Sequence, residues 1–459
     1  MSDKDKDIAK ENRQFKVTDV QNDKGALQFV LSGSHEYGLD KSVANAIRRT
    51  LLSDIPTVAF EVDEGQPKQQ QQQQHQQTLG MDITMVTNDT ALHNEMMMHR
   101  IGLIPLYLNP DTFYKNYFFE CHVKHEGTQP FQFVTSNDMN IYPLKSHLAQ
   151  RIDDLRDESV TDEDPHEEAN LQEILETHSP DNYDLLKPLT QKEKDKILRP
   201  FEFRGSKNYC LLNELKNTNT EDTFQSLHFF GSPSVKTGKE NARYQAVSQV
   251  SYSFLKDESL IQQTLADKLK LDAVEKADED EYTKKFLLGE SERYFYRDAE
   301  GEPNRYLFKV KSCHYFDSGD LVKRSLDILM DECSEIKRSL LHLLQDKESP
   351  ISVKQVSGSD GLTYHYTLNN QGHTMGSLIQ SHIVRRCLKE KGLLTLCGYK
   401  QPHPLEDSIV LYVTLNPKHK ITKEPELSKL QFLTSYLMDQ MDEIRGELKE
   451  ISSVLKKSV

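Results

Sequence analysis

VANAIRRTLLSDIPTVAF, residues 43–60, is the stretch on which the fold turns. Gly38 supplies a turn just before it, and Asp40 and Ser42 supply N-cap chemistry. Val43, Ile47 and Leu51 then recur at helical spacing, which predicts a short helix over about 43–52 with one apolar stripe. At about 100° per residue, Arg48 and Arg49 point away from that stripe, left for solvent or a partner. From Thr57 to Val62 apolar and polar residues alternate, as in a half-buried strand.

Outward from this core the chain alternates strands with insertions. Leu27–Leu31 reads as a strand upstream. Downstream, the glutamine tract Gln69–Gln77, broken by His75, cannot bury apolar surface and is expected to be a disordered loop insertion. Strand character resumes over Leu79–Val86, and a helix through Met96–Arg100 is closed by Gly102 and Pro105. Asp153–Asp184 is strongly acidic and reads as a solvated loop. Strands follow at Tyr209–Leu212, Leu227–Phe230 and Val250–Phe254, then helical excursions within Lys256–Arg297 and a strand at Tyr306–Val310. Val322, Leu326, Leu329, Cys333, Ile336, Leu340 and Leu343 then alternate in steps of four and three, the seam of a long heptad-like helix.

After a linker at 346–350 the pattern starts again. Ile351–Val356 and Leu362–Leu368 form a hairpin, a helix is predicted over Thr374–Leu388 with Thr374 as its cap, and strands fall at Leu393–Leu396 and Ile409–Leu415. A second long seam closes the chain through Leu430, Leu433, Leu437, Met441, Ile444, Leu448, Ile451 and Leu455. The short helices overlay residue by residue, Ser42–Ile47 on Thr374–Ile379, in cap, apolar, small, polar, apolar, apolar order. One such layer leaves its long seam uncovered, and a second copy covers it. The expectation is an α+β chain whose two modules form an intramolecular pseudo-dimer.

Composition narrows the function. At 459 residues the chain exceeds the ~250–300 at which one core stops growing. A net charge of -15 argues against a surface that chiefly tracks phosphates. The six cysteines show no CxxC or zinc spacing, so a reduced compartment and no metal or cofactor are expected. No run of ~18 apolar residues occurs, which points to a soluble, intracellular protein with no membrane partner. His93, Glu95 and His99 lack the i, i+4 spacing of a zinc-protease helix, so His99-Arg100 reads as a structural pair before the Gly102–Pro105 turn. Gly372–Gly376 lacks the lysine of a phosphate loop, and Pro402-His403-Pro404 reads as a rigid turn. A hydrolase has only scattered histidines and acids in its favour.

At these residues the sequence resembles the alpha-like subunits of multisubunit DNA-directed RNA polymerase. VANAIRRTLLSDIPTVAF and HNEMMMHRIGLIPL (93–106) are similar to signatures of the larger alpha-like subunit, counterpart of the third-largest subunit of RNA polymerase II. GKENARYQAV (238–247) is similar to that family's Lys-x-His-Ala-Lys loop, with Asn241 and Arg243 in place of His and Lys. NNQGHTMGSLIQSHI (369–383) and CGYKQPHPLEDSIVLYVTL (397–415) resemble the smaller alpha-like subunit, with Ser377 where Asn is common. Fusion of the two resembles the arrangement in large DNA viruses.

The resemblance implies a discontinuous larger dimerisation domain (14–55 and 243–345), an insert domain (56–242) and a smaller dimerisation domain (351–459). It implies a non-catalytic assembly platform that docks the largest and second-largest subunits and small zinc-binding subunits and meets DNA only through the complex. The expected location is host cytoplasm and virion if viral, otherwise nucleus. The cysteines that hold zinc or an iron-sulfur cluster in some relatives' inserts are missing. Arg48, Arg49, Lys239, Asn241, Ala242 and Arg243 become partner-binding candidates. The first module's dimerisation set is Val43, Asn45, Ile47, Leu51, Leu326 and Leu340. The second module's is His373, Thr374, Met375, Gly376, Leu378, Tyr399, Pro402, His403, Pro404 and Leu437. The competing expectation is an adaptor that uses the same fold outside a polymerase.

Overall fold

The computed structural model describes residues 15–23, 25–33, 38–62, 82–113, 117–127, 129–143, 188–217, 224–276, 278–298, 300–345, 347–356, 361–388 and 392–458. The glutamine tract and the acidic stretch 153–184 lie outside the described residues. The chain opens with β1 (Lys16–Asp23), β2 (Ala26–Ser32) and α1 (Lys41–Ser53). Then come β3 (Pro56–Ala59), β4 (Ile83–Asn88), α2 (Asn94–Gly102), β5 (Tyr117–Lys124), β6 (Phe131–Thr135) and β7 (Met139–Pro143). After these follow α3 (Gln191–Ile197), β8 (Phe201–Phe203), β9 (Ser206–Asn208), β10 (Leu211–Lys216), β11 (Ser226–Gly231) and β12 (Ser234–Thr237). The first module resumes with β13 (Val247–Phe254), α4 (Glu258–Leu271), α5 (Glu279–Gly289), β14 (Arg305–Ser312) and α6 (Ser318–Leu344). The second is β15 (Ile351–Gln355), β16 (Thr363–Asn369), α7 (His373–Ile383), β17 (Leu394–Lys400), β18 (Ser408–Leu415) and α8 (Glu426–Ser458).

Two compact units result. One takes in the residues up to Ile55, Val247–Ser312 and everything from Asp317 onward; the other is Pro56–Ala246 with Cys313–Phe316. Arg243–Ala246 and Cys313–Phe316, expected in the dimerisation domain, therefore pack with the insert. Their anchor is Tyr244: its carbonyl accepts from Thr57 Oγ1 at 2.7 Å and its hydroxyl lies 2.9 Å from Ser234 Oγ. Cys313 N and Sγ likewise donate to the carbonyls of Ala246 and Gln245.

The first unit is α+β and contains both modules. Its sheets run β1-β2-β14-β13 and β15-β16-β18-β17, antiparallel throughout. The two orders are the same when read module by module: hairpin, return strand, edge strand. On the first sheet Phe29 and Phe308 stack at 5.2 Å, beneath the buried face of α1 formed by Val43, Ala44, Ala46, Ile47, Thr50 and Leu51. The edge strand β1 was not legible in the sequence, because nearly all of it is exposed and its residues do not alternate.

The long helices α6 and α8 pack on one another. Leu326, Leu329, Cys333, Ile336 and Leu340 are buried on one side and Leu433, Leu437, Met441, Ile444 and Leu448 on the other. At about 1.5–3 kcal/mol for each fully buried large apolar side chain, this seam is the chief favourable term holding the modules together. Lys337 and Asp442 bridge its rim at 2.6 Å.

The insert unit has a four-stranded sheet, β4-β11-β5-β7, and the two-stranded pairs β10-β6, β12-β3 and β8-β9. Its core gathers Phe60 and Phe119, edge to face at 5.2 Å, with Met97, Ile101, Leu215 and Phe229. The region 256–297 forms α4 and α5, the helical excursions expected there. No helix among the described residues is long and apolar enough to cross a membrane.

Candidate functional site

The site is the surface where the two modules of the first unit meet; the loop after β12, in the insert unit, is described by itself. Asp40 caps α1, accepting from Ser42 N at 2.8 Å and Val43 N at 3.0 Å. This fixes the helix so that Val43, Ile47 and Leu51 turn inward. Arg48 folds back onto its own helix, donating to Asn45 Oδ1 at 3.1 and 2.9 Å. Arg49 is exposed but not detached from the pairing: its Nε donates to Thr374 Oγ1 of α7 at 2.8 Å. The stripe argument placed Arg49 outside the seam; its long side chain instead reaches round the helix to the opposite module.

Facing α1 is α7, with Met375, Leu378, Ile379 and Ile383 buried. Thr374, expected to cap this helix, makes no capping bond; the N-cap is Gly372, and Thr374 serves as the acceptor for Arg49. Gly376 is required by proximity, since a Cβ there would stand 2.6 Å from the Tyr399 ring and 3.0 Å from Ile409. His373 Nδ1 lies 3.2 Å from the Tyr399 hydroxyl, tying the start of α7 to β17. Pro402, His403 and Pro404 are exposed in the β17–β18 turn, where His403 Nδ1 accepts from Leu405 N at 3.1 Å. They shape a turn and bury nothing in the seam, a correction to their place in the dimerisation set.

A buried charge cluster joins the modules, and the sequence reading missed it. Asp40 (4% exposed) receives a hydrogen bond from Ser381 Oγ and lies 3.7 Å from Arg385 Nε. Arg385 (4%) stands 3.7 Å and Arg386 3.3 Å from Glu447 (3%), while His382 (0%) is 3.4 Å from Glu447 and 3.6 Å from Glu443. Arg385 and Arg386 sit in the single π-helical turn Val384–Leu388 that continues α7, the kind of local distortion that marks functional positions.

For Asp40, Glu447 and His382 burial works against the charge, and the partners outweigh it. Burial pushes the Asp40 carboxyl up, but Arg385 and the hydrogen bonds from Ser381, Ser42 and Val43 bring it below the usual carboxylate range. Burial likewise opposes ionised Glu447, yet His382, Arg385 and Arg386 bring it down to about 2. His382 is desolvated, which favours the neutral ring, and Glu443 and Glu447 still raise it above its ordinary value. One signal was available in the sequence: Glu447 falls beside Leu448 on the apolar stripe of α8, where a solvated glutamate does not belong.

The loop after β12 belongs to the insert unit. Lys239 and Ala242 are exposed. Asn241 Oδ1 accepts from Arg243 N and Nε, both at 3.1 Å, and Arg243 Nη1 donates to Phe60 O at 3.2 Å. A Cβ on Gly102 would stand 2.7 Å from that same Nη1. Arg243 is thus engaged inside the insert, which also explains why α2 ends on a glycine. Among the described residues no group of three or more His, Cys, Asp or Glu side chains is placed to hold a metal ion.

Fold and interface together define a chain that carries two copies of one dimerisation module and pairs them internally. The chain belongs to the RNA polymerase Rpb3/Rpb11 dimerisation domain family, whose models match residues 35–333 and 363–446. Among curated proteins it is 30% identical to the human DNA-directed RNA polymerases I and III subunit RPAC1 over 105 residues, 23% of each chain. It is 30% identical over 118 residues to the mouse protein of the same name, covering 26% of this chain and 25% of that one. With the DNA-directed RNA polymerase subunit Rpo3 of Thermococcus kodakarensis identity is 33% over 93 residues, 20% of this chain and 26% of the relative. The chain spans about a quarter of the length of these relatives.

Proposed function

We propose that the chain is a non-catalytic assembly platform of a DNA-directed RNA polymerase, in which fused larger and smaller alpha-like units pair and together dock the two large catalytic subunits. The observation that carries this reading is the internal pairing of two modules with one strand order, in a family whose relatives are polymerase subunits. Arg48 and the exposed Arg49 flank the pairing surface and are the first candidates for contact with the second-largest subunit, with Lys239–Arg243 as the next. Arginine's planar donor fork suits carboxylates and carbonyls across an interface, which supports that choice. Small zinc-binding polymerase subunits are further partners, and DNA is met only through the complex. A fused chain of this kind fits a virus that carries its own transcription machinery, which would put it in host cytoplasm and virion; otherwise its place is the nucleus.

The test is affinity capture of the intact chain from its native source, with the captured proteins identified by mass spectrometry. Recovery of both large polymerase subunits is the expected result. Recovery of the chain without either of them contradicts the reading and leaves an adaptor. Template-dependent nucleotide incorporation by the purified chain alone would contradict the non-catalytic role.

A further inference from the structure

The two modules share a strand order, yet their first helices begin differently. Laying Ser42 over Thr374 puts Gly38 over Asn370 and Asp40 over Gly372. Gly38 and Asn370 both have positive φ, 101° and 60°, so the backbone follows one turn while the side chains differ. A Cβ on Gly38 would run into the carboxylate of Glu447. Laying the α6 seam on the α8 seam, Cys333 over Met441 and Leu340 over Leu448, places Ser339 where Glu447 stands. On that side Asn370 and Gln371 line a groove of about 170 Å³ together with Glu332, Glu335 and Ser339. The overlaid positions Thr50, Ser53, Asp54, Ser339 and Gly372 therefore carry no second copy of the charge cluster.

We propose that Gly38 and Asp40 of the first module, with His382, Arg385, Arg386 and Glu447 of the second, form a pairing code that selects first-with-second pairing and rejects like-with-like pairing between chains. Two second modules would bring the Asn370 side chain where Gly38 makes room for Glu447, and Gly372 would offer Arg385 no carboxylate. Two first modules would bury Asp40 against Ser339, with Thr50, Ser53 and Asp54 where His382, Arg385 and Arg386 stand. A carboxylate buried without a cation is strongly unfavourable, whereas the pair itself adds little over apolar packing. Such a cluster acts on the choice of partner more than on stability, as a single buried polar residue does in fixing a coiled coil's register. The inference goes beyond the polymerase reading and does not depend on docking to any large subunit.

The experiment uses the full chain in two variants, Asp40→Arg and Arg385→Asp, produced separately and together, with mass measured by light scattering. Each variant alone sets like charges across the pairing site, but the first module of either matches the second module of the other. Co-production should yield a two-chain complex of the two variants in equal ratio, at least tenfold over separate monomers. Asp40→Arg and Arg385→Asp combined on one chain should restore the monomer. The lost cap at position 40 is common to the Asp40→Arg and combined variants and cancels between those two. Co-produced variants that remain separate monomers overturn the proposal, as does a combined variant that fails to fold or to regain the monomer.

Discussion

The two modules of the first unit have the same sheet order but very different connections. The second joins α7 to β17 through residues 384–393 and β17 to β18 through 401–407. In the first, the corresponding links run through residues 56–246, which build a whole unit, and 255–304, which build α4 and α5. Loop closure costs only about 0.6 kcal/mol per doubling of length, so a module whose strand ends are already fixed accepts such insertions. Strands, first helix and long seam are constrained by pairing, while the connections are where the modules diverge.

If pairing is the shared constraint, the largest effect should come from breaking the charge cluster, where the paired surfaces of the two modules differ. Arg385→Met leaves Asp40 buried without its cation and takes one of its cations from Glu447, and denaturant unfolding of the full chain should show a loss of about 3–5 kcal/mol. A change within the error of the midpoint would show the cluster to be solvated. Next, equivalent seam positions should respond alike. Leu329→Ala and Leu437→Ala, which fall on one another when the two seams are overlaid, should each cost about 2–5 kcal/mol, from lost burial and the cavity left behind. A large effect in one module and none in the other would break the symmetry of the pairing.

The cluster also sets a pH dependence that the apolar seam cannot. Glu447 titrates at about 2 in the fold against an ordinary 4.5, so its contribution is complete above 4.5 and is lost as pH falls towards 2. His382, raised above its ordinary 6.5 by Glu443 and Glu447 and opposed by Arg385, contributes fully below 6.5 and less as pH rises through its folded value. Denaturation midpoints followed from acid to alkaline pH should fall at both ends, and Glu447→Gln should flatten the acid limb. An identical acid limb in that variant would remove Glu447 from the account.

Smaller effects sharpen the local geometry. Gly376→Ala pushes a Cβ into Tyr399 and Ile409, and overpacking of this kind costs about 1–3 kcal/mol, read from the melting temperature. Relief by a second change, Tyr399→Leu, would confirm the contact. Arg49→Ala removes one exposed hydrogen bond to Thr374 and should cost about 0.5 kcal/mol, at the low end for such bonds. A loss as large as that of Arg385→Met would make Arg49 part of the pairing core.

Much of this was legible in the sequence because periodicity reports burial. The α1 stripe, both long seams and the repeat of strand, short helix, strand and long helix were read from spacing, and the structure buries the residues that spacing selected save Leu343 and Leu430, which are half-buried. What spacing cannot show is which charges meet. Asp40 was read as a cap, and its bond to Ser381 and approach to Arg385 depend on a pairing between distant parts of the chain. Arg243 was read as a docking residue from a loop motif, but its turn back onto Phe60 O depends on the insert's own packing. Pro402–Pro404 kept their turn and lost their place in the seam, because motif resemblance does not carry burial.

Internal pairing is the claim on which the rest depends, and the mass of the purified chain in solution tests it most directly. Light scattering over a wide range of concentration should give one chain, 53.0 kDa, throughout. A mass of two chains that persists on dilution, with α6 of one chain cross-linking to α8 of another, would contradict it.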